Sequence, residues 1–274
     1  MTLSMTLGMT ARQRLEHELS SLDQAAIAVS GGVDSLTLAT AAQRILGDRV
    51  SMHHATSPAV PAEATARTRA LAAFQGWSLD VFDAGEFDDP DYRANPVNRC
   101  FFCKTNLYGA VARRTDRLIL SGTNLDDLGE YRPGLDAASR HNVRHPFVEA
   151  GIDKRMVRAL AAELGLGALS ELASAPCLSS RIETGIRIEP RVLAMVHEAE
   201  QRVIATLRPR TARCRVRAGR IVIELDEDAL QSLDDGARAS LEAAIVAIAS
   251  AAGLQAPVSF APYRNGSTFI RRPA

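Results

Sequence analysis

The sequence predicts an α/β protein, a doubly wound parallel sheet followed by a small α+β domain, and three observations predict it. A short apolar run, Ala25 to Val29, leads into Ser30-Gly31-Gly32-Val33-Asp34-Ser35 and then into a helical pattern, as a strand buried on both faces of a parallel sheet would. Strand-like and helix-like stretches then alternate as far as residue 121. From Pro190 the pattern changes to helix, hairpin, helix and strand, the order of a separate α+β unit.

In order along the chain, the first strand is expected within Gln24–Ser30 and the first long helix over Leu36–Leu46. A strand over Arg49–Ala55, a helix over Pro61–Gln75 and a strand over Ser78–Phe82 follow, then a helix over Lys104–Arg114 and a strand over Leu118–Ser121. Asp153 caps a helix whose Met156, Val157, Leu160 and Leu164 share one face and which stops at Gly165. Residues 168–187 have little periodicity, as functional or mobile loops do. The domain boundary is placed after them, giving domains 1–187 and 188–274. In the second, a helix over Pro190–Leu207, a hairpin over Cys214–Leu225 turning at Ala218-Gly219, a helix over Gly236–Ala252 and a strand over Val258–Ala261 are expected.

Composition narrows the function classes. With 46% hydrophobic residues in 274, the chain can bury a core without covalent staples. Its 32 basic and 32 acidic residues cancel, so the field of the whole molecule does not attract a polyanion and nucleic acid is not an expected partner. No apolar run of about 18 residues exists, so no membrane span is expected. Met1 to Thr10 lacks the basic start and long apolar core of a secretion signal. The expected compartment is the cytoplasm, where Cys100, Cys103, Cys177 and Cys214 serve as thiols or metal ligands and not as a disulfide framework.

The loop Ser30 to Ser35 carries the strongest chemical signal. Its glycines let the backbone bend closely round an anion, while the following helix start aims free N–H groups and partial positive charge at it. No Gly-Lys-Ser/Thr follows, so the loop lacks the lysine of a Walker A motif. The motif resembles the PP-loop of the ATP pyrophosphatase family, and the resemblance implies that Ser30, Gly31, Gly32, Asp34 and Ser35 bind ATP while its α-phosphate is attacked. Asp34 is a candidate magnesium ligand or a helix cap. At the end of a later strand, Gly122, Thr123, Asn124 and Asp127 of Ser121-Gly122-Thr123-Asn124-Leu125-Asp126-Asp127 are candidates for nucleotide contacts, because ligands of such sheets bind at the carboxyl ends of strands. An ordinary Asx-rich turn is the competing reading.

Cys100-Phe101-Phe102-Cys103 is expected just before a helix, with Cys177 in the distant loop. Two thiolates at this spacing and a third elsewhere could hold three irons of a [4Fe–4S] cluster and leave the fourth open. Two half-buried core cysteines remain the bland reading. Cys214 is treated as incidental.

Together with the phosphate loop, three later segments resemble one family. They are Asp126-Asp127-Leu128-Gly129-Glu130-Tyr131-Arg132-Pro133-Gly134, Ala175-Pro176-Cys177-Leu178-Ser179-Ser180-Arg181 and the Arg215-Val216-Arg217 hairpin. The family is that of the pyridinium-3,5-bisthiocarboxylic acid mononucleotide synthase, a sulfur transferase that builds the nickel-pincer cofactor of lactate racemase. The resemblance runs from about Leu15 to Arg272.

What the resemblance implies is a two-stage reaction. ATP adenylates a carboxylate of a pyridinium dicarboxylate mononucleotide and releases pyrophosphate; sulfur then replaces the adenylate to give a thiocarboxylate. Cys177 stands at the sulfur-donor position. In the sacrificial version this thiolate attacks the acyl adenylate and, after removal of its Cα proton, remains as dehydroalanine. Cys100 and Cys103 depart from that single-cysteine pattern and favour the version in which Cys100, Cys103 and Cys177 hold a [4Fe–4S] cluster carrying exchangeable sulfide. The resemblance further implies a substrate phosphate held by Arg215 and Arg217, with Arg181 and Arg264, a divalent metal at Glu200 and Glu224, and assembly into a homo-oligomer. Arg215 and Arg217 alternate on one strand, so both point to one face, where a solvated surface is the plain alternative.

Three rivals stay open. A tRNA thiolase would need a basic RNA-binding module, an ammonia-using adenylating amidotransferase would not need Cys177, and a non-catalytic nucleotide-binding regulator would keep the loop for sensing.

Overall fold

The computed structural model describes residues 8–129, 133–173 and 176–270. Of the quoted motifs, Glu130, Tyr131, Arg132 and Ala175 lie outside the described residues. Along the chain the elements run α1 (Ala11–Ser20), β1 (Ala25–Ala28), α2 (Val33–Leu46), β2 (Val50–Thr56), α3 (Ala62–Gln75), β3 (Leu79–Asp83), α4 (Pro90–Arg93), α5 (Arg99–Ala112) and β4 (Leu118–Ser121). They continue with α6 (Pro133–Arg140), α7 (Pro146–Glu149), α8 (Lys154–Glu163), α9 (Pro190–Leu207), β5 (Ala212–Arg217), β6 (Arg220–Leu225), α10 (Glu227–Gln231), α11 (Asp235–Ala251) and β7 (Val258–Pro262).

The chain forms two compact units. The first comprises 1–57, 62–88 and 100–175, the second 58–61, 89–99 and 176–274. The second therefore takes in 176–187, which the boundary drawn after 187 assigns to the first. The backbone bonds of that stretch explain its place: Leu178 N–H donates to the Ala59 carbonyl, Gly185 N–H to that of Asn95 and Glu183 N–H to that of Val216, all partners within the second unit.

The first unit is the expected doubly wound α/β fold. Its four strands are all parallel in the order β3-β2-β1-β4, and β1 sits between β2 and β4 with Ala25 level with both Val50 and Leu118. Every residue of β1 is buried, which is why it reads as an unbroken apolar run. Ala25 and Ile27 face a core built with α1, α2 and α8 through Leu15, Leu19, Leu36, Val157 and Leu160. Ala26 and Ala28 face the other layer, where Tyr108 and Val111 of α5 and Ala138 of α6 pack. Helices thus cover both faces, and the alternation of Cβ directions divides one four-residue strand between two cores.

The second unit carries a small mixed sheet, β5-β6-β7. The β5–β6 hairpin is antiparallel and turns at Ala218-Gly219, where Gly219 takes φ +70°; β7 joins β6 in parallel. α9 buries Val192, Leu193, Val196 and Val203 against β5 and α11.

Most expected elements appear within a few residues of their expected ends. One difference bears on the chemistry: α5 begins at Arg99, so Cys100 and Cys103 lie inside its N-terminal end and not ahead of it. Pro96 starts the turn and Arg99 N–H bonds back to its carbonyl, which closes the helix a turn earlier than Lys104. The short helices α4, α6, α7 and α10 span eight residues or fewer, too little for a periodicity to register. Among the described residues no helix is long and apolar enough to cross a membrane.

Candidate functional site

In the first unit the chain leaves β1 through Val29, makes a left-handed bend at Gly31 (φ +80°) and enters α2 at Gly32, its N-cap. The two serines of the motif staple this bend. Ser30 N–H donates to Ser35 Oγ at 3.1 Å, the two hydroxyls lie 3.1 Å apart, and Ser35 Oγ donates to the Gly32 carbonyl at 3.1 Å. The start of a fourteen-residue helix is thereby fixed at the carboxyl end of the central strand, where the N–H groups of its first turn and its dipole favour an anion.

The loop after β4 is brought against this turn. A Cβ on Gly122 would stand 2.8 Å from the backbone nitrogen of Ser35 and 2.9 Å from the carbonyl carbon of Asp34, so only glycine lets the two loops meet this closely. Asn124, almost fully buried, accepts from Asp126 N–H at 3.0 Å, while its own N–H donates to Asp127 Oδ2 at 3.0 Å. Asp127 therefore shapes the Asn124 turn. Thr123 Oγ1 lies 3.1 Å from Ser121 Oγ, which in turn lies 2.8 Å from His145 Nδ1; burial holds the His145 imidazole below its usual range.

Asp34 has a partner that the sequence did not suggest. Lys154 Nζ, from the first residue of α8, lies 2.7 Å from Asp34 Oδ1 and 2.5 Å from Oδ2, and Asn124 Nδ2 donates to Oδ1 at 3.4 Å. Lys154 thus places a cation beside a loop whose own sequence has none. Both Asp34 oxygens, expected as candidate magnesium ligands, are engaged by this ammonium. The signal that could have found Lys154 is its placement: α8 has Lys154 and Arg155 in its first turn and no acidic residue there, against the preference of a helix N-terminus.

Cys100 and Cys103 are half-buried and one helical turn apart on α5, hence on one face; Cys177, also half-buried, belongs to the second unit. None of the four cysteines is in a disulfide. The chemistry of the donor set, three soft thiols, fits an iron–sulfur cluster. Among the described residues no group of three or more His, Cys, Asp or Glu side chains is already arranged to hold a metal ion. Cys214 is buried on β5, and desolvation pushes its thiol far up, which leaves it inert.

In the second unit Cys177 directly precedes a 3-10 turn, Leu178–Arg181. Arg181 is 3% exposed and holds this loop from inside. Its Nη1 donates to the Pro176 carbonyl at 2.5 Å and to that of Cys177 at 3.2 Å; Nε and Nη2 form a fork on Glu200 at 2.9 and 3.0 Å. Glu200 Oε1 also accepts from Cys214 N–H at 2.9 Å. Tyr92 Oη, 2.7 Å from Ser179 Oγ, and Thr268 Oγ1, donating to the Ser180 carbonyl at 2.7 Å, secure the rest of the turn.

Arg215 and Arg217 do share a face of β5, and there they meet Glu224 of β6. Arg215 Nε donates to Oε2 at 2.8 Å and Arg217 Nη2 to Oε1 at 3.1 Å, with Ser267 Oγ donating to Oε1 at 2.7 Å. Burial alone would raise the Glu224 carboxyl, but the bonds from Ser267 and Arg215 outweigh it and hold it below its usual range. Arg215 also donates to the carbonyls of Ser180 and Arg264. Glu200 and Glu224, the expected divalent-metal ligands, are thus engaged by guanidinium groups. Of the four expected phosphate ligands, Arg181 and Arg215 are buried and engaged internally, Arg217 is partly exposed with one buried nitrogen, Nε, that has no hydrogen-bond partner among the described residues, and Arg264 is exposed.

Comparison with known proteins adds an independent line. No family model matches the chain. Over 197 residues, 70% of this chain, it is 30% identical to the pyridinium-3,5-bisthiocarboxylic acid mononucleotide synthase of Lactiplantibacillus plantarum, covering 71% of that protein. It is 37% identical over 192 residues to an uncharacterized protein of Synechocystis sp., covering 69% of this chain and 71% of the relative. An uncharacterized protein of Methanocaldococcus jannaschii is 30% identical over 111 residues, 39% of this chain and 43% of the relative.

Proposed function

The chain belongs to the family of the pyridinium-3,5-bisthiocarboxylic acid mononucleotide synthase, and on that premise we propose that it is an ATP-dependent sulfur transferase. Its substrate is a pyridinium dicarboxylate mononucleotide; one carboxylate is adenylated with release of pyrophosphate and then converted to a thiocarboxylate. The observation that carries this reading is the phosphate loop. A glycine bend stapled by Ser30 and Ser35 presents a helix start, and Lys154 stands beside it.

Each residue has a task in this reading. Backbone N–H groups at Gly31 to Asp34 hold the β- and γ-phosphates, and Lys154 moves part of its charge from Asp34 to the departing pyrophosphate. Gly122 lets Thr123 and Asn124 come close enough to orient the nucleotide, with Asp127 shaping their turn. The carboxylate oxygen of the substrate attacks the α-phosphorus, the bond to the β-phosphate oxygen breaks, and pyrophosphate leaves with the negative charge that the loop is built to stabilise.

Cys177 directs what attacks the acyl adenylate. Arg181 fixes the carbonyls on either side of its loop, so the thiol is presented from a rigid base. Arg217, partly exposed although paired with Glu224, and the exposed Arg264 receive the substrate phosphate, while Arg181 and Arg215 work as struts. Cys100, Cys103 and Cys177 would together hold a [4Fe–4S] cluster, which supplies exchangeable sulfide at its open iron.

The reading is tested by purifying the protein without oxygen, assaying iron and acid-labile sulfide, and measuring intact mass before and after turnover with MgATP and the pyridinium substrate. Bound iron and sulfide with unchanged protein mass support the cluster version. Absent iron with loss of the Cys177 sulfur assigns the sacrificial version instead. Full activity in Cys177→Ala would remove the sulfur-transfer reading and favour an ammonia-using ligase.

A further inference from the structure

The phosphate loop is braced by side chains on its far side. Two carbonyls flanking Ser30 are taken up there. The Val29 carbonyl lies 2.8 Å from His54 Nδ1, and the Gly31 carbonyl accepts from Arg67 Nε of α3 at 2.9 Å. Because a carbonyl only accepts, His54 Nδ1 carries the proton, and its Nε2, 2.9 Å from Thr65 Oγ1, accepts from α3 in turn. A Cβ on Gly31 would stand 2.7 Å from the Ala64 carbonyl oxygen and 3.0 Å from Thr68 Oγ1, so α3 is seated directly against the bend.

Arg67 is the part of this seat whose chemistry exceeds packing. The peptide it grips joins Gly31 to Gly32, the two residues with the least resistance to rotating about it. The N–H of that peptide, on Gly32, donates to Ser30 Oγ at 3.4 Å; if the peptide turns over, an acceptor oxygen takes the place of this donor in the loop. A guanidinium bond to the Gly31 carbonyl opposes this, since the flip would break a charge-assisted hydrogen bond. Burial lowers the Arg67 guanidinium from its usual range, and the charge of Glu63, one turn earlier on α3, opposes that.

We propose that Arg67 is a positioning residue for pyrophosphate: by holding the Gly31 carbonyl it keeps the loop's N–H groups turned toward the β- and γ-phosphates. The proposal rests on the reading of Ser30 to Ser35 as a phosphate site. It makes a selective demand. AMP has no β- or γ-phosphate and should not sense the orientation of this peptide, whereas pyrophosphate should.

The test is calorimetric titration of the full chain with magnesium pyrophosphate and, separately, with AMP, for wild type, Arg67→Ala, Arg67→Gln and Arg67→Lys, with a thermal melt of each. The expected result is a loss in pyrophosphate affinity of about tenfold or more in Arg67→Ala, the scale of one hydrogen bond to a charged group. Partial recovery is expected in Arg67→Lys, with AMP affinity unchanged throughout. Equal losses for both ligands would reduce Arg67 to a structural clamp, and an unchanged pyrophosphate affinity in Arg67→Ala would also overturn the proposal. Should Arg67→Ala melt early, Arg67→Gln and Arg67→Lys apply the same criterion in a folded protein. A wild type that binds no pyrophosphate would defeat the phosphate-loop reading itself, and this proposal with it.

Discussion

Lys154 Nζ rests 2.5 Å from Asp34 Oδ2, joining the first residue of α8 to the first turn of the helix that the phosphate loop opens. The pair is partly exposed, with about a quarter to a third of each side chain in solvent, so its own contribution to stability is modest. Its importance lies in where it puts a mobile positive charge.

Replacing that charge should weaken the nucleotide more than the fold. Lys154→Met is expected to lower kcat/KM for ATP by about 10- to 100-fold, the scale of a lost charge-assisted contact, while Lys154→Arg retains part of it. Pyrophosphate release measured against ATP concentration checks this; a value within twofold of wild type for Lys154→Met would remove Lys154 from the site.

Gly122→Ala tests the meeting of the two loops. The added methyl would stand inside contact distance of the Ser35 backbone, and backbone cannot step aside as a flexible side chain can. The expected cost is about 1–3 kcal/mol, as for overpacking, together with weaker ATP binding; denaturant unfolding and a nucleotide titration measure the two.

Arg181 and Glu200 form a buried fork, 4% and 8% exposed. Arg181→Ala strands Glu200 and frees the Pro176 and Cys177 carbonyls, so a loss of about 3–5 kcal/mol is expected. Urea unfolding reads it. The accompanying signature is faster modification of Cys177 by a thiol reagent, because its loop loses its strut; an unchanged rate would count against Arg181 as the support of that loop.

Acid should destabilise the protein below the ordinary histidine range. Burial lowers His53, His54 and His145 from 6.5 in the folded chain. At pH above 6.5 folded and unfolded forms are both neutral and these groups contribute no slope. As pH falls below it, the unfolded chain takes up protons that the folded chain refuses, and stability drops until the lowered folded values are passed. Glu86 has the opposite sense: burial raises it from 4.5, so its stabilisation is complete below 4.5 and is lost as pH rises through the folded value. Melting temperatures across pH should therefore show a His54→Gln variant with a shallower acidic slope and a Glu86→Gln variant with improved stability near neutrality.

The features legible in the sequence were those written in adjacent residues. Ala25 to Ser35 contains strand, bend and helix start in one stretch, and the whole chemical suggestion of phosphate follows from it. The hairpin was legible too, because Ala218-Gly219 fixes the turn. That turn also sets the register: it pairs Arg217 with Arg220, Arg215 with Val222 and Arg213 with Glu224. Glu224 consequently falls on the same face as the arginines, within reach of long side chains on diagonal positions. Lys154 was hidden for the opposite reason. It is 120 residues from Asp34, and only a folded sheet carrying α2 and α8 on one layer brings them together. The early start of α5 was masked by Pro96 and the polar residues around it, which read as loop although they form the turn that begins the helix.

Adenylation followed by sulfur transfer is read in a single-turnover reaction of the anaerobically purified protein with MgATP and the pyridinium dicarboxylate mononucleotide. Pyrophosphate release and the mass of the small-molecule product are followed together. A sulfur transferase gives pyrophosphate release that requires the carboxylate substrate, with a product in which one carboxylate oxygen has been replaced by sulfur. Substrate-independent release, or release with no oxygen-for-sulfur exchange in the product, would contradict it.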